Sequence, residues 1–406
     1  MSEQVRQYDI VIAGGGMVGS ALACALAPHG FHIAVLEARE PQHDWPPGEV
    51  DLRVSALTRA SQRILRHLGV WQRMVEMRVS PYREMHVWDA TGGGSIHFNS
   101  AEIGEPDLGH IVENRVTQLA LWERLGVFDN VDRLCPAMLD RFERDEKAGE
   151  MHVVLQDGAQ LRCHLLVGAD GRDSRVRELA GITSHGWPYD QHAVVATVRP
   201  ELWHKETAWQ RFMPSGPLAF LPIDDGRCSI VWSTHPSRAE ELMALDDDLF
   251  LKALTEASER ILGEIVEVGP RGVFPLRLQH ADQYVQAGLA LVGDAAHAVH
   301  PLAGQGVNLG FLDATALADV LIEARRKGRN IGSFTILRRY ERARKGENMA
   351  MLAAMDAFKR LFSNDLLPLR LIRNLGLKLT DTTTPVKHLI MRRALGLSGE
   401  LPSLAR

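Results

Sequence analysis

The chain has 406 residues, 45% hydrophobic and 24% charged, and its 51 acidic against 46 basic side chains leave a formal net charge of −5. That length can bury a sizeable core and suits two domains, while the mild negative charge excludes the basic footprint of a nucleic-acid binder. Four scattered cysteines (Cys24, Cys135, Cys163, Cys228) lack metal spacing and suggest reduced thiols in the cytoplasm; no apolar run approaches a membrane span, and the polar start leads into a strand rather than a secretory leader.

Residues 8–13 predict a buried strand, and Gly14-Gly15-Gly16-Met17-Val18-Gly19 follows directly. Residues 20–27 continue as a small-residue helix, and a second strand at 32–36 ends in Glu37, with Ala38 and Arg39 behind it. Strand, glycine loop, helix, strand and acid in this order make a dinucleotide fingerprint. Gly14 permits the tight turn, Gly16 lets backbone approach a pyrophosphate, Gly19 allows close helix–strand packing, and Glu37 is placed for ribose hydroxyls. Residues 81–99 alternate around Gly92-Gly93-Gly94 and suggest a β excursion, while 111–124 read as strand then helix. A hairpin is expected around Asp157-Gly158, pairing 151–155 with 161–167. Its second strand runs into Gly168-Ala169-Asp170-Gly171, with Ser174 and Arg177 following. By itself this stretch reads as a surface turn with a capping serine.

From about 185 to 274 the pattern turns strand-rich, with strands expected at 194–198, 208–213, 218–222 and 228–233. An apolar run at 289–292 then feeds Gly293-Asp294. Small residues with His297 and His300 lead to a turn begun by Pro301 and holding Gly304, Gln305 and Gly306; a helical pattern starts at Val307 and Asn308. A carboxylate at a strand end can bond a hydroxyl chain, and amides at a helix start can stabilise an anion. A reduced flavin requires both. The stretches 349–362 and 366–379 are amphipathic with interleaved basic residues, fit for packing on the core or another subunit, or for a membrane surface.

Taken together, Gly14–Gly19, the Gly168–Arg177 stretch and the Gly293–Gly310 stretch resemble the single-component flavin-dependent aromatic hydroxylases, the para-hydroxybenzoate hydroxylase superfamily. Residues 52–57, 68–71, 87–89, 109–114, 218–222 and 337–342 resemble its ubiquinone-biosynthesis branch. The likeness runs from about Asp9 into the C-terminal tail. It implies an α/β (mixed α+β) fold, with a Rossmann-like FAD-binding domain interleaved with a β-sheet substrate domain, plus C-terminal helices. The expected divisions are 1–80, 100–184 and 270–345 for the FAD domain, 81–99 and 185–269 for the substrate domain, and 346–406 for the helical region. The implied cofactors are FAD, NADPH or NADH as electron donor, and O2 as co-substrate, with no metal. The implied substrate is a polyprenylated phenol hydroxylated at ring carbon C5. Proteins of a biosynthetic complex, a peripheral contact with the inner membrane and a homo-oligomer are also implied.

On this reading the cofactor contacts are Gly14 to Gly19 with Met17 and Val18, Glu37, Ala38, Arg39, Asp170, Asp294, Gly304, Gln305, Gly306, Val307 and Asn308. The resemblance adds Arg53 near the flavin diphosphate, Asn114 and Arg115 as alternative polar flavin contacts, and Pro301 against the ring. Phe212, Phe220, Leu221, Pro222 and Trp232 are candidates for an apolar pocket that excludes water, or equally for ordinary sheet core. His297 and His300 stand beside the loop, but no side chain is assigned as a catalytic base. The rivals are a hydroxylase of another ring carbon or of a small aromatic, a nicotinamide-dependent dehydrogenase, and a catalytically silent scaffold.

Overall fold

The computed structural model describes residues 5–298, 306–362 and 383–406. In chain order it begins with β1 (Arg6–Ala13), α1 (Met17–Leu26), β2 (Ile33–Leu36), β3 (Val54–Leu57), α2 (Arg59–His67) and α3 (Trp71–Met77). β4 (Ser80–Tyr82), β5 (Glu84–Asp89), β6 (Ser95–Asn99), β7 (Gly109–Glu113) and α4 (Asn114–Leu125) follow. Next come β8 (Val131–Leu134), β9 (Leu139–Asp145), β10 (Glu150–Leu155), β11 (Gln160–Gly168) and α5 (Arg175–Leu179). The chain then forms β12 (Ser184–Pro200), β13 (Thr207–Met213), β14 (Gly216–Pro222), β15 (Cys228–Thr234), α6 (Pro236–Ala244), α7 (Asp247–Ala257) and β16 (Ile265–Ala281). It closes with β17 (Val285–Gln286), β18 (Leu289–Leu291), β19 (His297–Ala298), α8 (Gly306–Arg326), α9 (Phe334–Phe362) and α10 (Thr384–Ala394).

The first sheet has the order β17-β18-β11-β1-β2-β8, with β10 and β9 hung antiparallel off β11. β1 pairs parallel with both β11 and β2, and Ile10, Val11 and Ile12 are fully buried. Burial on both faces explains the unbroken apolar run, because helices cover both sides of a parallel sheet. α1 packs on α4 and α8. The expected hairpin forms between β10 and β11, with Gly158 at φ +91° in its turn.

The second sheet has the order β19-β16-β12-β15-β14-β13-β5-β6, so the excursion at 81–99 supplies its far edge. β16 carries this sheet on to Ala281, beyond the expected limit at 269. The strand-rich stretch also holds two helices. Pro236 sits at the start of α6, Asp246 caps α7 by accepting from the Leu249 amide (2.8 Å), and Ala239, Leu242, Phe250 and Leu254 bury at helical spacing. A small third sheet, β3-β7-β4, lies between the two.

The expected boundary at 345/346 falls inside α9, whose Arg344, Asn348, Leu352 and Met355 are buried on either side of it. The expected helix at 349–362 is the second half of α9, while the stretch 366–379 lies outside the described residues. The chain end folds back: Met391 of α10 and Leu395 just after it pack with Ala56 and Ile111, and Ala405 is fully buried in the main core.

Candidate active site

Three parallel strands end together at the glycine loop. The Gly14 amide donates to Leu36 O (2.9 Å) and the Ala169 amide to Ala13 O (2.8 Å), so β1, β2 and β11 deliver their loops to one place. Gly14 has φ +108°, and a Cβ there would lie 2.3 Å from Ala169 O. A Cβ on Gly19 would lie 2.0 Å from Gly14 O, and one on Gly15 would lie 2.7 Å from Trp122. These three glycines are demanded by the protein's own packing. Gly16 is different: its φ of −67° and ψ of −174° suit any residue, and nothing lies within 4 Å of the position a Cβ would take. Gly16 also caps α1 without a side-chain hydrogen bond, which leaves the helix start open to an anion.

Glu37 follows β2 and accepts from the Gly15 amide (2.9 Å) and the Arg39 amide (3.2 Å). The carboxylate is thereby held beside the loop, while Ala38 and Arg39 are exposed. Val18 joins the two ends of the chain. A Cβ on Gly310 would lie 2.5 Å from the Val18 side chain, and one on Gly293 3.3 Å from it. Met17 packs against the main core.

Asp294 lies in a short turn (Gly293–Ala295) after β18. Its carboxylate opens to solvent and has no hydrogen-bond partner among the described residues. Crowding by protein around this cleft desolvates it and raises its pKa, against the lowering influence of His297, Arg53 and Arg172. Arg53 is exposed and lies over the Phe274 ring (5.7 Å). The Arg172 Nε is buried with no hydrogen-bond partner among the described residues, while its Nη2 bonds Asp173 (3.3 Å). A free carboxylate facing two arginines, beside an open glycine cradle, fits a ligand with both hydroxyls and phosphates.

Several expected contacts are engaged within the protein. Asp170 accepts from the Ser174 hydroxyl (2.5 Å) and the Val176 amide (3.0 Å), and Ser174 caps α5, so the turn reading holds locally. Arg177 then donates to Ala295 O (2.8 Å), which ties this turn to the one carrying Asp294. Asn114 accepts from Ser55 (2.7 Å). Arg115 pairs with Glu113 and Glu49 and lies over Trp45 (4.4 Å), anchoring the loop before β3. Asn308 accepts from the Thr58 amide and Ser61 and donates to Ala56 O (2.8 Å), binding the start of α8 to β3 and α2. Gly306 and Val307 are half-buried at that start. His300, Pro301, Gly304 and Gln305 lie outside the described residues.

The second sheet corrects the pocket candidates. Strand side chains alternate between faces. Phe220 and Trp232 share a core with Leu242, Phe250 and Leu254 of α6 and α7, on the face away from the glycine loop. Pro222 falls on that same face, paired with Cys228 of the same core. They pack beneath helices that the alternating pattern alone does not show. Leu221 points the other way, to Ala56 and Ile111, and Val195 packs with Leu52 and Leu352 of α9. Val231 bridges both of these groups. Phe212 also faces this side by alternation from Trp209, but near the edge, against Val87 and Ile96.

Sequence reasoning also missed a buried polar network behind Asp294. Asp313 of α8 accepts from His297 (2.5 Å), the Gly293 amide (3.2 Å), Arg344 (2.9 Å) and Asn348 (3.0 Å). Burial alone would raise the Asp313 carboxyl, but His297, Arg344 and Asn348 more than offset this and bring it down to about 2. The available signal was an acid set among the apolar residues of 309–318.

Comparison with known proteins agrees with this geometry. Residues 7–354 match the family model described as FAD binding domain. The chain is 42% identical over 389 residues to 3-demethoxyubiquinol 3-hydroxylase of Escherichia coli (96% of this chain, 98% of that one). It is 40% identical to ubiquinone hydroxylase UbiL of Rhodospirillum rubrum (98% and 92%) and 39% identical to ubiquinone biosynthesis monooxygenase COQ6 of Xenopus tropicalis (95% and 92%). Among solved structures it resembles PqsL, a probable FAD-dependent monooxygenase of Pseudomonas aeruginosa (26% identity, TM-score 0.73, 92% and 99% covered). The fold also matches p-nitrophenol 4-monooxygenase PnpA of Pseudomonas putida (19% identity, TM-score 0.79, 98% and 100% covered).

Proposed function

The chain belongs to this FAD-binding family, and from that premise we propose that it hydroxylates the aromatic ring of a polyprenylated phenol in ubiquinone biosynthesis, consuming O2 and NAD(P)H. The enzyme is an FAD-dependent monooxygenase. Bound FAD would supply the redox chemistry, linking NAD(P)H oxidation to O2 reduction, with an overall balance of one oxygen atom to the ring and one to water.

The residues present fit this cofactor. The observation that carries the reading is the joining of two half-sites through Val18: the open Gly16 cradle on one side and, on the other, the Asp294 carboxylate, which has no hydrogen-bond partner among the described residues. Gly16 admits the pyrophosphate at the α1 start, Glu37 meets ribose hydroxyls and Asp294 the ribityl hydroxyls. Arg53 and Arg172 supply positive charge. On the second sheet, Val231, half-buried between the Leu221 and Val195 clusters, offers an apolar contact for the ring and helps keep water from the reacting centre.

The sequence resemblance assigns ring carbon C5. A second reading, carbon 3, rests on the name of the E. coli relative at 42% identity. Analysis of the quinone intermediates that accumulate in cells lacking this protein separates the two. An intermediate unhydroxylated at C5 is expected, and accumulation of 3-demethoxyubiquinol would transfer the assignment to carbon 3.

No described helix is long and apolar enough to cross a membrane. Peripheral contact is supported by α10, whose Val386, Leu389 and Ile390 are exposed by 46%, 64% and 44% on one stripe, beside Arg392 and Arg393. Binding to a biosynthetic complex and homo-oligomerisation belong to the same proposal.

A further inference from the structure

Asp313 is fully buried, and its carboxylate receives four hydrogen bonds. Two come from α9, through Arg344 and Asn348. The other two come from the residues flanking Asp294: the Gly293 amide before it and the His297 ring after it. Arg344 is also bound to Asn348 (2.8 Å) and Glu347 (2.5 Å), and Asn348 reaches Tyr284 (3.4 Å). Packing α8 on α9 needs no charge, since apolar side chains of similar volume hold two helices at least as well as a buried ion pair. The carboxylate does something an apolar residue could not: it grips both ends of a turn. Between those ends Asp294 is exposed and has no hydrogen-bond partner among the described residues.

We propose that Asp313 is a positioning residue, which, through Gly293 and His297, sets the Gly293–Ala298 turn and so holds the Asp294 carboxylate where it receives the ribityl chain of the flavin. The inference rests on the FAD-binding reading above. His297 transmits the constraint, because its ring sits in β19, paired with β16, and its Nε2 is the atom bonded to Asp313. Arg344 and Asn348 fix the carboxylate from the side of α9.

The test measures FAD dissociation from the purified holoenzyme by recovery of flavin fluorescence on dilution, together with thermal unfolding of the FAD-stripped protein. Asp313→Asn and His297→Leu are expected to weaken FAD binding at least tenfold. His297→Gln, which keeps a donor near the position of Nε2, is expected to return within threefold of the parent. If Asp313→Asn and His297→Leu bind FAD within twofold of the parent and only their unfolding midpoints fall, the network is merely core and the proposal is overturned. If Asp313→Asn does not fold, the two His297 variants decide: equal FAD affinity in both overturns the proposal. A parent protein that binds no FAD would instead refute the functional reading itself.

Discussion

Substituting Gly16 by valine separates what the fold needs from what a ligand needs. In the folded chain the residue has φ −67° and ψ −174°, and nothing stands within 4 Å of its Cβ position. Valine there is unstrained in φ/ψ and removes freedom from the unfolded chain, which contributes about 0.4–1 kcal/mol to stability. Against this, valine is a poorer helix cap than glycine, by about 0.5–1 kcal/mol. The two terms nearly cancel, so the unfolding midpoint of the FAD-free protein should move by less than about 4 °C. Binding should behave otherwise. The side chain fills the space through which the pyrophosphate reaches the α1 amides, and each charge-assisted hydrogen bond lost costs about 1.5–3 kcal/mol. Loss of even one predicts FAD affinity lowered by about ten- to a hundredfold. Gly19→Ala is the control. Its Cβ would lie 2.0 Å from Gly14 O, and such overpacking costs about 1–3 kcal/mol even without ligand. Flavin-fluorescence titration and differential scanning calorimetry read the two quantities. Gly16→Val retaining stoichiometric FAD at parental affinity, or losing as much FAD-free stability as Gly19→Ala, would refute the reasoning.

Asp294→Ala should lower FAD affinity by about 1.5–3 kcal/mol in a titration, and an unchanged affinity would reduce Asp294 to a turn-former. Because the folded chain raises the Asp294 pKa, its favourable contribution is present in acid and lost as pH rises through that raised value; the same substitution should raise the FAD-free melting midpoint near neutral pH but not at roughly pH 4. Phe220→Ala should cost about 3–5 kcal/mol of stability with KM for the phenol unchanged, whereas Val231→Phe should raise KM and divert NAD(P)H oxidation to hydrogen peroxide; a raised KM in a fully stable Phe220→Ala protein would return Phe220 to the pocket. Deleting 383–406 removes Met391, Leu395 and Ala405 from the core and should lower the melting midpoint. Leu389→Glu should leave that midpoint alone while reducing co-sedimentation with anionic vesicles, and equal sedimentation would discard the lipid contact.

The sequence by itself determined the parts whose constraint is local. The run from Tyr8 to Gly19 dictates strand, turn and helix because parallel strands bury both faces and Gly14 must take a positive φ. The hairpin at Gly158, the strand–helix unit at Ile111 and the carboxylate positions Glu37 and Asp294 were legible for the same reason. Tertiary structure decided whatever depends on which surface a residue meets. Phe220 and Leu221 are adjacent in sequence and similar in hydrophobicity, yet one lies under α6 and α7 and the other against Ala56, a choice made by sheet register and the layer stacked on each face. The fingerprint already singles out Gly16, but that the fold itself leaves space for a side chain there is seen only in the tertiary structure, as is the convergence of four donors on Asp313 from Gly293, His297, Arg344 and Asn348. Helical spacing marks Asp313 as an acid among apolar neighbours, but a buried carboxylate acquires meaning from partners far away in the chain, which no local pattern encodes.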